Sequence, residues 1–238
     1  MTLRHVVTLL VMLMIAAMPL AGLSQGPPQQ IPVPSPEELE EMGLTEEEYR
    51  EMVRQQMEAA RQGGMGGMET IESGMYTNDD LGYSVNVPDD WKGIFARGQL
   101  MGMPDGMDMR QAMIGGLTFS VTAQPLGPDM DWDGMTLDEA KSLTEERMAK
   151  ANEQPGMNVE LVSMEETEIA GKDGYKMIVA MTMEAPPQSG MENLNHRNVV
   201  YMVADPEKVF SLGYTMPKDQ FGQHDGFIET HVSSFKLK

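Results

Sequence analysis

Residues 172 to 183 read KDGYKMIVAMTM, and every second position from Tyr175 to Met183 carries an apolar or aromatic side chain. Side chains along a β-strand alternate between its two faces, so this pattern predicts a strand with one face buried in a core. A helix would instead repeat its apolar positions every three to four residues. The stretch therefore predicts one strand of a half-buried sheet.

The same pattern continues on both sides of this segment. Strands are predicted over about 159–169, 174–184, 196–204 and 209–216. Turns are expected at Lys172-Asp173-Gly174 and at Asp205-Pro206-Glu207-Lys208, because glycine, proline and aspartate favour the backbone of tight turns. Strands joined by such short turns pair in opposite directions, which predicts an antiparallel meander.

Two helices follow from capping signals and apolar periodicity. One is expected from the N-cap Thr136, with Glu139 closing a capping box, to about Glu153. The other is expected over about 218–235. Its apolar stripe consists of Phe221, Ile228, Val232 and Phe235.

Two earlier strands complete the predicted domain. Apolar residues alternate over 83–87 and again over 117–123, and a proline follows each run at Pro88 or one residue later at Pro125. The predicted fold class is α+β, with helices packed against an antiparallel sheet.

The N-terminal residues predict export. Residues 1–24 combine a basic start with an apolar run from Val6 to Leu20 and small residues before Ser24, which is typical of a cleaved signal peptide. An uncleaved anchor is the alternative, although the run contains Pro19 and is shorter than the ~20 residues of a spanning helix. The chain has no cysteine, so neither a lipid-anchored cysteine nor a disulfide is available.

Three further segments differ in composition. Residues 25–35 are predicted to be a proline-rich linker, and 36–75 a partly helical, partly disordered acidic arm that ends in a Gly/Met joint. The arm's amphipathic helix either binds a partner or serves as a solvated spacer. Residues 76–238 are predicted to form the folded domain, which is long enough to bury a core without disulfides.

The charge of the chain excludes some partners. Its 37 acidic residues outnumber its 17 basic ones, which gives a formal net charge of −20. Such a surface repels nucleic-acid phosphates and anionic lipid headgroups, and we expect no stable membrane insertion after signal cleavage. Such a charge favours cations, basic partners, or simply solubility in salty surroundings.

Four motifs carry a resemblance to a known family. They are NDDLGYSVNVPDDW at 78–91, IAGKDGY at 169–175, FSLGYT at 210–215 and FIETHVSSFK at 227–236. Over roughly 76–238 the chain resembles the PsbP/DcrB-like group. The resemblance implies a three-layer α/β/α sandwich with a central antiparallel sheet. The group includes extrinsic photosystem II subunits, bacterial cell-envelope proteins and a Ran-binding protein, so it implies no single function and no shared catalytic residues. The chain lacks the anchoring cysteine of the envelope lipoproteins.

Residue types for nucleophilic catalysis are sparse. There is no cysteine and no G-x-S-x-G motif, and beyond the signal peptide the only histidines are His196, His224 and His231. On a helix, His224 and His231 would lie ~10.5 Å apart along the axis, too far to share a zinc ion. Both are predicted to face solvent, and the domain is predicted not to be an enzyme.

Residues 129–134 read DMDWDG, which begins like a calcium loop. Asp129, Asp131, Asp133 and Gly134 match the first half of an EF-hand, but Ala140 stands where that loop needs a bidentate glutamate. An EF-hand is therefore excluded. A weak, irregular Ca²⁺ site at the three aspartates stays open, and the alternative is an acidic approach to a helix N-terminus.

A second metal hypothesis rests on methionine. Residues 101–113, MGMPDGMDMRQAM, contain five methionines in a segment predicted to be a flexible loop. Thioether sulfur favours Cu(I), whereas methionine is also an adaptable apolar filler or contact residue.

Together these features predict a non-catalytic binding or accessory domain of the cell envelope, exported to the periplasm or the extracellular space. It would act by contact with an envelope protein or a small apolar ligand, with no cofactor. The alternative is a metal-binding protein, with weak Ca²⁺ at the aspartates or Cu(I) at the methionines.

Overall fold

The computed structural model describes residues 69–96, 98–107, 111–112, 116–126, 132, 134–185 and 193–238. The predicted signal peptide, linker and most of the acidic arm lie outside these residues, as do Asp129, Asp131 and Asp133. Among the described residues, no helix is long and apolar enough to cross a membrane.

The described residues form eleven strands, two α-helices and one short 3-10 helix. The strands are β1 (Glu69–Ile71), β2 (Gly74–Asn78), β3 (Tyr83–Val87), β4 (Trp91–Ala96), β5 (Gln99–Pro104), β6 (Thr118–Pro125), β7 (Met157–Ile169), β8 (Lys172–Met183), β9 (Leu194–Ala204), β10 (Lys208–Pro217) and β11 (Lys236–Leu237). The α-helices are α1 (Leu137–Ala151) and α2 (Asp225–Ser234), and the 3-10 helix spans Lys218–Gln220.

The strands form two sheets. The main sheet has the order β1-β4-β5-β6-β10-β9-β8-β7, and the small sheet has the order β11-β3-β2. All described strand pairs are antiparallel. The predicted α+β class is confirmed, and β7 to β10 form the predicted meander. The described strands begin at Glu69, earlier than the predicted domain boundary at residue 76.

The turn of the β7–β8 hairpin lies earlier than predicted. Ile169 pairs with Lys172, so Ala170 and Gly171 alone connect the strands. Their φ angles are 54° and 78°. Positive φ at both central residues is typical of the type I′ turn, whose twist suits a two-residue hairpin. Residues 172–174, the predicted turn, instead begin β8, and their glycine allows close approach to the backbone of β9.

Strand β9 shows how the main sheet separates two hydrophobic clusters. Val199, Tyr201 and Val203 belong to the cluster on one face, here called the front face. Val200 and Met202 belong to the cluster on the opposite, back face. The front cluster includes residues of α2 and the small sheet, and the back cluster includes residues of α1.

Helix α1 begins as predicted. Thr136 Oγ1 accepts a hydrogen bond from the Glu139 backbone N–H at 3.3 Å, and Glu139 Oε2 accepts one from the Thr136 N–H at 2.9 Å. This is the capping box expected from the sequence. The two bonds satisfy backbone donors that the first helical turn would otherwise leave without partners.

Helix α2 is shorter than predicted. It begins at Asp225, because residues 218–224 form the 3-10 helix and turns. Phe221 therefore lies outside the helix and is 38% exposed, so its assignment to the apolar stripe was wrong. Ile228 and Phe235 are buried as predicted.

Residues 101–104 belong to strand β5, so the prediction of a flexible loop was wrong there. The strand was hidden in the sequence because Gly102 interrupts its apolar alternation. A Cβ atom at Gly102 would lie 1.9 Å from Cε1 of Phe119, its partner across β5 and β6. The glycine is therefore required by an aromatic ring that occupies the space of its missing side chain.

Candidate binding surface

The predicted calcium ligands Asp129, Asp131 and Asp133 lie outside the described residues, but the chain beside them is described. The Trp132 ring packs edge-on against the Tyr175 ring, with 5.5 Å between centroids. The Tyr175 hydroxyl donates a hydrogen bond to the Met135 carbonyl at 2.6 Å. Calcium binding at the three aspartates stays a prediction.

The predicted loop ends where helix α1 begins. Glu139 is engaged in the capping box, and Ala140 is buried against the back face of the sheet. An EF-hand would need a bidentate acid at the position of Ala140. The described residues after the aspartates therefore contribute no further carboxylate in EF-hand geometry.

The structure describes three of the five methionines of the Cu(I) hypothesis, Met101, Met103 and Met107. Met101 and Met103 lie two positions apart on β5, and Met103 is 1% exposed. Met109 and Met113 lie outside the described residues. Within the described part of the chain, no three His, Asp or Glu side chains are grouped as metal ligands. The Cu(I) hypothesis concerns methionine sulfur and stays a prediction.

The prediction that His231 faces solvent was wrong. His231 is 4% exposed, and its Nδ1 lies 2.7 Å from the hydroxyl of buried Tyr214. The rings of Phe119 and Phe227 pack against its imidazole. The apolar stripe of α2 thus includes a histidine whose Nδ1 is hydrogen-bonded within the core, while its Nε2 is buried without a hydrogen-bond partner among the described residues. His224 is half-buried at the N-cap of α2.

Burial makes His231 a poor proton acceptor. It lowers the pKa of His231 to about 4, against the opposing effect of the Asn86 backbone carbonyl. In the neutral tautomer that carries its proton on Nε2, the Tyr214 hydroxyl donates to Nδ1. His231 is therefore neutral at physiological pH and serves the core.

A charged surface lies on the front face of the sheet. Glu165 on β7 pairs across strands with Lys176 on β8, and Lys176 pairs with Tyr201 on β9. Directly paired residues of adjacent strands project to the same face, so these three side chains form a row. Asp225 and Glu229 lie one turn apart on α2. We call these five residues the Tyr201 patch.

The contacts within the patch leave its charges unbalanced. Lys176 Nζ lies 3.2 Å from Glu165 Oε1 and 5.9 Å from the centroid of the Tyr201 ring. Asp225 and Glu229 form no ion pair with any described residue. Three carboxylates against one ammonium give the patch a net charge of −2.

The carboxylates of α2 interact electrostatically with the side chains that the sheet contributes to the patch. Burial opposes the charge of Lys176, but Glu165, Tyr201 and Asp225 together raise its pKa. The pKa of Tyr201 is raised first by burial and further by Glu229 and the other carboxylates, while Lys176 opposes this effect. The carboxylates of α2 therefore act on groups in the sheet, across the boundary between the helix and β8.

Tyr201 combines a buried ring with an available hydroxyl. The residue is 6% exposed, and its ring lies edge-on to Tyr214. Within the described part of the chain, the Tyr201 hydroxyl makes no hydrogen bond, and it is not among the fully buried polar atoms. A hydroxyl held by a buried ring beside unbalanced carboxylates is therefore available for hydrogen bonding at the surface.

An apolar surface adjoins the Tyr201 patch. Ile178 follows Lys176 by two positions on β8, so it lies on the same front face. It is half-buried and belongs to neither described hydrophobic cluster. Val162, at a bulge in the edge strand β7, is 51% exposed. Among the residues that the structure describes, the front face over β7 and β8 thus remains open beside α2.

The sequence pattern did not indicate the Tyr201 patch. Its residues come from four elements that are separate in the chain, and each is unremarkable alone. The available signal was the register of the β7–β8 hairpin, which places Glu165 opposite Lys176 only when the turn is at Ala170 and Gly171.

Comparisons with known proteins agree with this architecture. The PsbP family model matches residues 72–237. The solution structure of cyanobacterial PsbP (CyanoP) from Synechocystis sp. PCC 6803 is similar, with a TM-score of 0.51 and 15% identity over 74% of this chain and 95% of that chain. At that identity the likeness concerns the fold alone.

Two further structures are more distant. LpqN, involved in cell envelope biogenesis of Mycobacterium tuberculosis, has a TM-score of 0.41 and 11% identity over 72% of this chain and 91% of its own. The Saccharomyces cerevisiae Ran-binding protein Mog1p has a TM-score of 0.39 and 11% identity over 71% of this chain and 95% of its own. No curated protein sequence matches the chain.

Proposed function

Because this chain belongs to the PsbP family, we propose that it is an exported, non-catalytic accessory domain of the cell envelope that acts by binding a protein partner. Family membership supplies a fold on which different functions are built, so the function must be argued from the surface. The observation that carries the proposal is the open front face over β7 and β8, where Ile178 adjoins the Tyr201 patch.

The composition of this surface suits protein contact. It places a half-buried isoleucine beside a tyrosine and charged groups, and interfaces commonly combine an apolar or aromatic centre with a polar rim. Its apolar part is small, which favours a protein partner with polar groups over a small apolar ligand. A small apolar ligand would need a concave apolar pocket that buries most of its surface.

The non-catalytic part of the proposal is supported by the placement of the histidines. His231 is enclosed by aromatic rings and bonded to Tyr214, so it is unavailable to a substrate. His196 is buried in β9. A general base must reach the proton that it abstracts, and these two side chains do not reach the surface.

Export rests on the sequence of residues 1–24, whose apolar run and small residues resemble a cleavable signal peptide. The mature chain would then act in the periplasm or the extracellular space.

We also propose that the domain is a three-layer α/β/α sandwich in the sense of its family. In support, α1 and α2 contribute to clusters on opposite faces of the main sheet.

Site-specific photocrosslinking in the native host tests this proposal. Ile178 is replaced by a photoreactive phenylalanine analogue, and a matched variant carries it at exposed Glu145 on α1, which packs on the other face of the sheet. We expect a specific crosslinked protein from residue 178 and none from residue 145. Equal products from both positions, or no product from residue 178 in a folded variant, would contradict the proposal.

A further inference from the structure

We propose that the Tyr201 patch recognises an arginine side chain presented by an extended basic segment of the protein partner. This inference rests on the proposed function, because it names the chemistry of the partner that the same surface binds. Its basis is the row of Glu165, Lys176 and Tyr201 across the sheet, with Asp225 and Glu229 one turn apart on α2.

The patch leaves part of its negative charge without a counter-ion among the described residues. Lys176 forms an ion pair with Glu165 and lies over the Tyr201 ring. Its ammonium therefore balances the charge of the one carboxylate that the sheet contributes to the patch. Asp225 and Glu229, on the helix side, have no ion-pair partner among the described residues. A cationic ligand would complete the charge balance on that side.

The hydroxyl of Tyr201 is available to a ligand. The ring is nine-tenths buried and therefore fixed, while the hydroxyl oxygen makes no hydrogen bond within the described part of the chain. Burial raises the pKa of this hydroxyl, and the negative charges of Glu229, Glu165 and Asp225 raise it further. A ligand that donates several hydrogen bonds would satisfy the hydroxyl and the carboxylates together.

The patch suits a guanidinium group better than a metal ion. A hard metal ion needs several oxygen ligands at ~2.0–2.6 Å, and the described residues include no grouping of three carboxylates or histidines close enough for this. A guanidinium is planar, spreads five N–H donors over its edge and binds carboxylates in pairs of hydrogen bonds.

The charge of the whole protein favours such a partner. The formal net charge of −20 attracts basic segments from a distance and repels acidic ones. Ile178, next to the patch on β8, offers apolar contact to the segment that carries the arginine. An extended segment is expected because it could lie along β8 with its arginine directed towards α2.

Peptide binding tests the inference on the full mature chain. The probe is a short acetylated, amidated peptide in which arginine alternates with alanine, and the comparison peptide contains citrulline in place of arginine. Citrulline keeps the size of the side chain and removes its charge. We expect the citrulline peptide to bind about tenfold more weakly or worse, since hydrogen bonds between charged groups are the stronger kind.

Three variants locate the binding. Asp225→Asn combined with Glu229→Gln should weaken the arginine peptide about tenfold and remove most of its advantage over the citrulline peptide. Tyr201→Phe should weaken it about fivefold, as expected for one hydrogen bond. Glu145→Gln, which removes a charge on the other face, should change binding less than about twofold.

Several outcomes would overturn the inference. They are equal affinity for the two peptides, an equal loss in Glu145→Gln and in the patch variants, or equal affinity for a lysine peptide. Crosslinking from residue 178 distinguishes a failure of arginine recognition from a failure of the proposed function. If Asp225→Asn with Glu229→Gln leaves the crosslinked partner unchanged, arginine recognition is wrong and partner binding stands. If the unaltered patch gives no crosslink, the proposed function itself fails.

Discussion

The hydroxyl of Tyr214 lies 2.7 Å from Nδ1 of His231, and both side chains are buried in the cluster on the front face of the sheet. A polar pair inside an apolar core stabilises the fold only while both partners keep their hydrogen bond. The pair therefore makes the stability of this domain sensitive to proton concentration and to the loss of a single oxygen atom.

The first prediction concerns pH. Burial lowers the pKa of His231 to about 4 in the folded state, whereas the ordinary value is 6.5. Below pH 6.5 the unfolded chain binds a proton that the folded chain excludes, so the free energy of unfolding falls as pH falls towards 4. The contribution lost across this window is about 3 kcal/mol.

Urea unfolding at a series of pH values checks this prediction. The unaltered protein is compared with His231→Asn, whose side chain keeps a hydrogen-bond acceptor near the position of Nδ1. The variant should be less stable at neutral pH but should lose about 3 kcal/mol less than the unaltered protein between pH 7 and pH 4. Parallel stability curves for the two proteins would show that His231 does not titrate in this way.

The second prediction compares two tyrosines. Tyr214→Phe removes the partner of a buried nitrogen and should lower the free energy of unfolding by about 1–3 kcal/mol. Tyr201→Phe removes a hydroxyl that has no hydrogen bond among the described residues and should cost less than about 0.5 kcal/mol. Urea midpoints measure both, and similar losses in the two variants would refute the difference in environment.

The third prediction concerns Gly102. In Gly102→Ala the new methyl group would meet the Phe119 ring, so the ring must move away from its contacts with Trp91 and His231. Overpacking of this kind costs about 1–3 kcal/mol or more. Gly226→Ala is the matched control, because a Cβ there meets nothing within 4 Å and alanine is favoured in a helix. Thermal unfolding should show the first variant destabilised and the second unchanged or stabilised.

The elements that the sequence predicted well were those whose signals are local. Thr136 and Glu139 lie three residues apart, so their capping box was visible in the sequence. The alternation in β8 needed only its own residues. Helix α2 was extended too far because Phe221 continued the apolar spacing, although the chain had not yet entered the helix.

The features that the sequence did not predict depend on long-range contacts. Strand β5 is recognised only when Phe119 is known to fill the space at Gly102. His231 was assigned to solvent because the sequence does not show which aromatic rings surround it. The Tyr201 patch needs the correct hairpin register together with the docking of α2, and the predicted turn was displaced.

The fourth prediction tests that turn. Ala170 has a φ of 54°, a left-handed conformation that costs an L-residue about 1–2 kcal/mol. Ala170→Asn creates the Asn-Gly sequence that type I′ turns favour, so it should raise the free energy of unfolding by up to about 1 kcal/mol. Gly171→Ala should lower it by about 1 kcal/mol, because alanine would be strained at a φ of 78°. Urea unfolding of both variants measures these changes, and a stabilising Gly171→Ala would contradict the turn geometry.

The fifth prediction addresses calcium at Asp129, Asp131 and Asp133. Trp132 packs on Tyr175, so an ion that reorganises the aspartates should alter the surroundings of the indole and its fluorescence. The measurement uses Trp91→Phe, which leaves Trp132 as the single tryptophan. Calcium binding predicts a saturable change in emission that Asp131→Ala abolishes, since that substitution removes a carboxylate ligand without touching the ring. Emission that stays constant up to near-millimolar Ca²⁺ would contradict calcium binding. The aspartates would then serve as negative charges placed before the N-terminus of α1, where the helix dipole favours them.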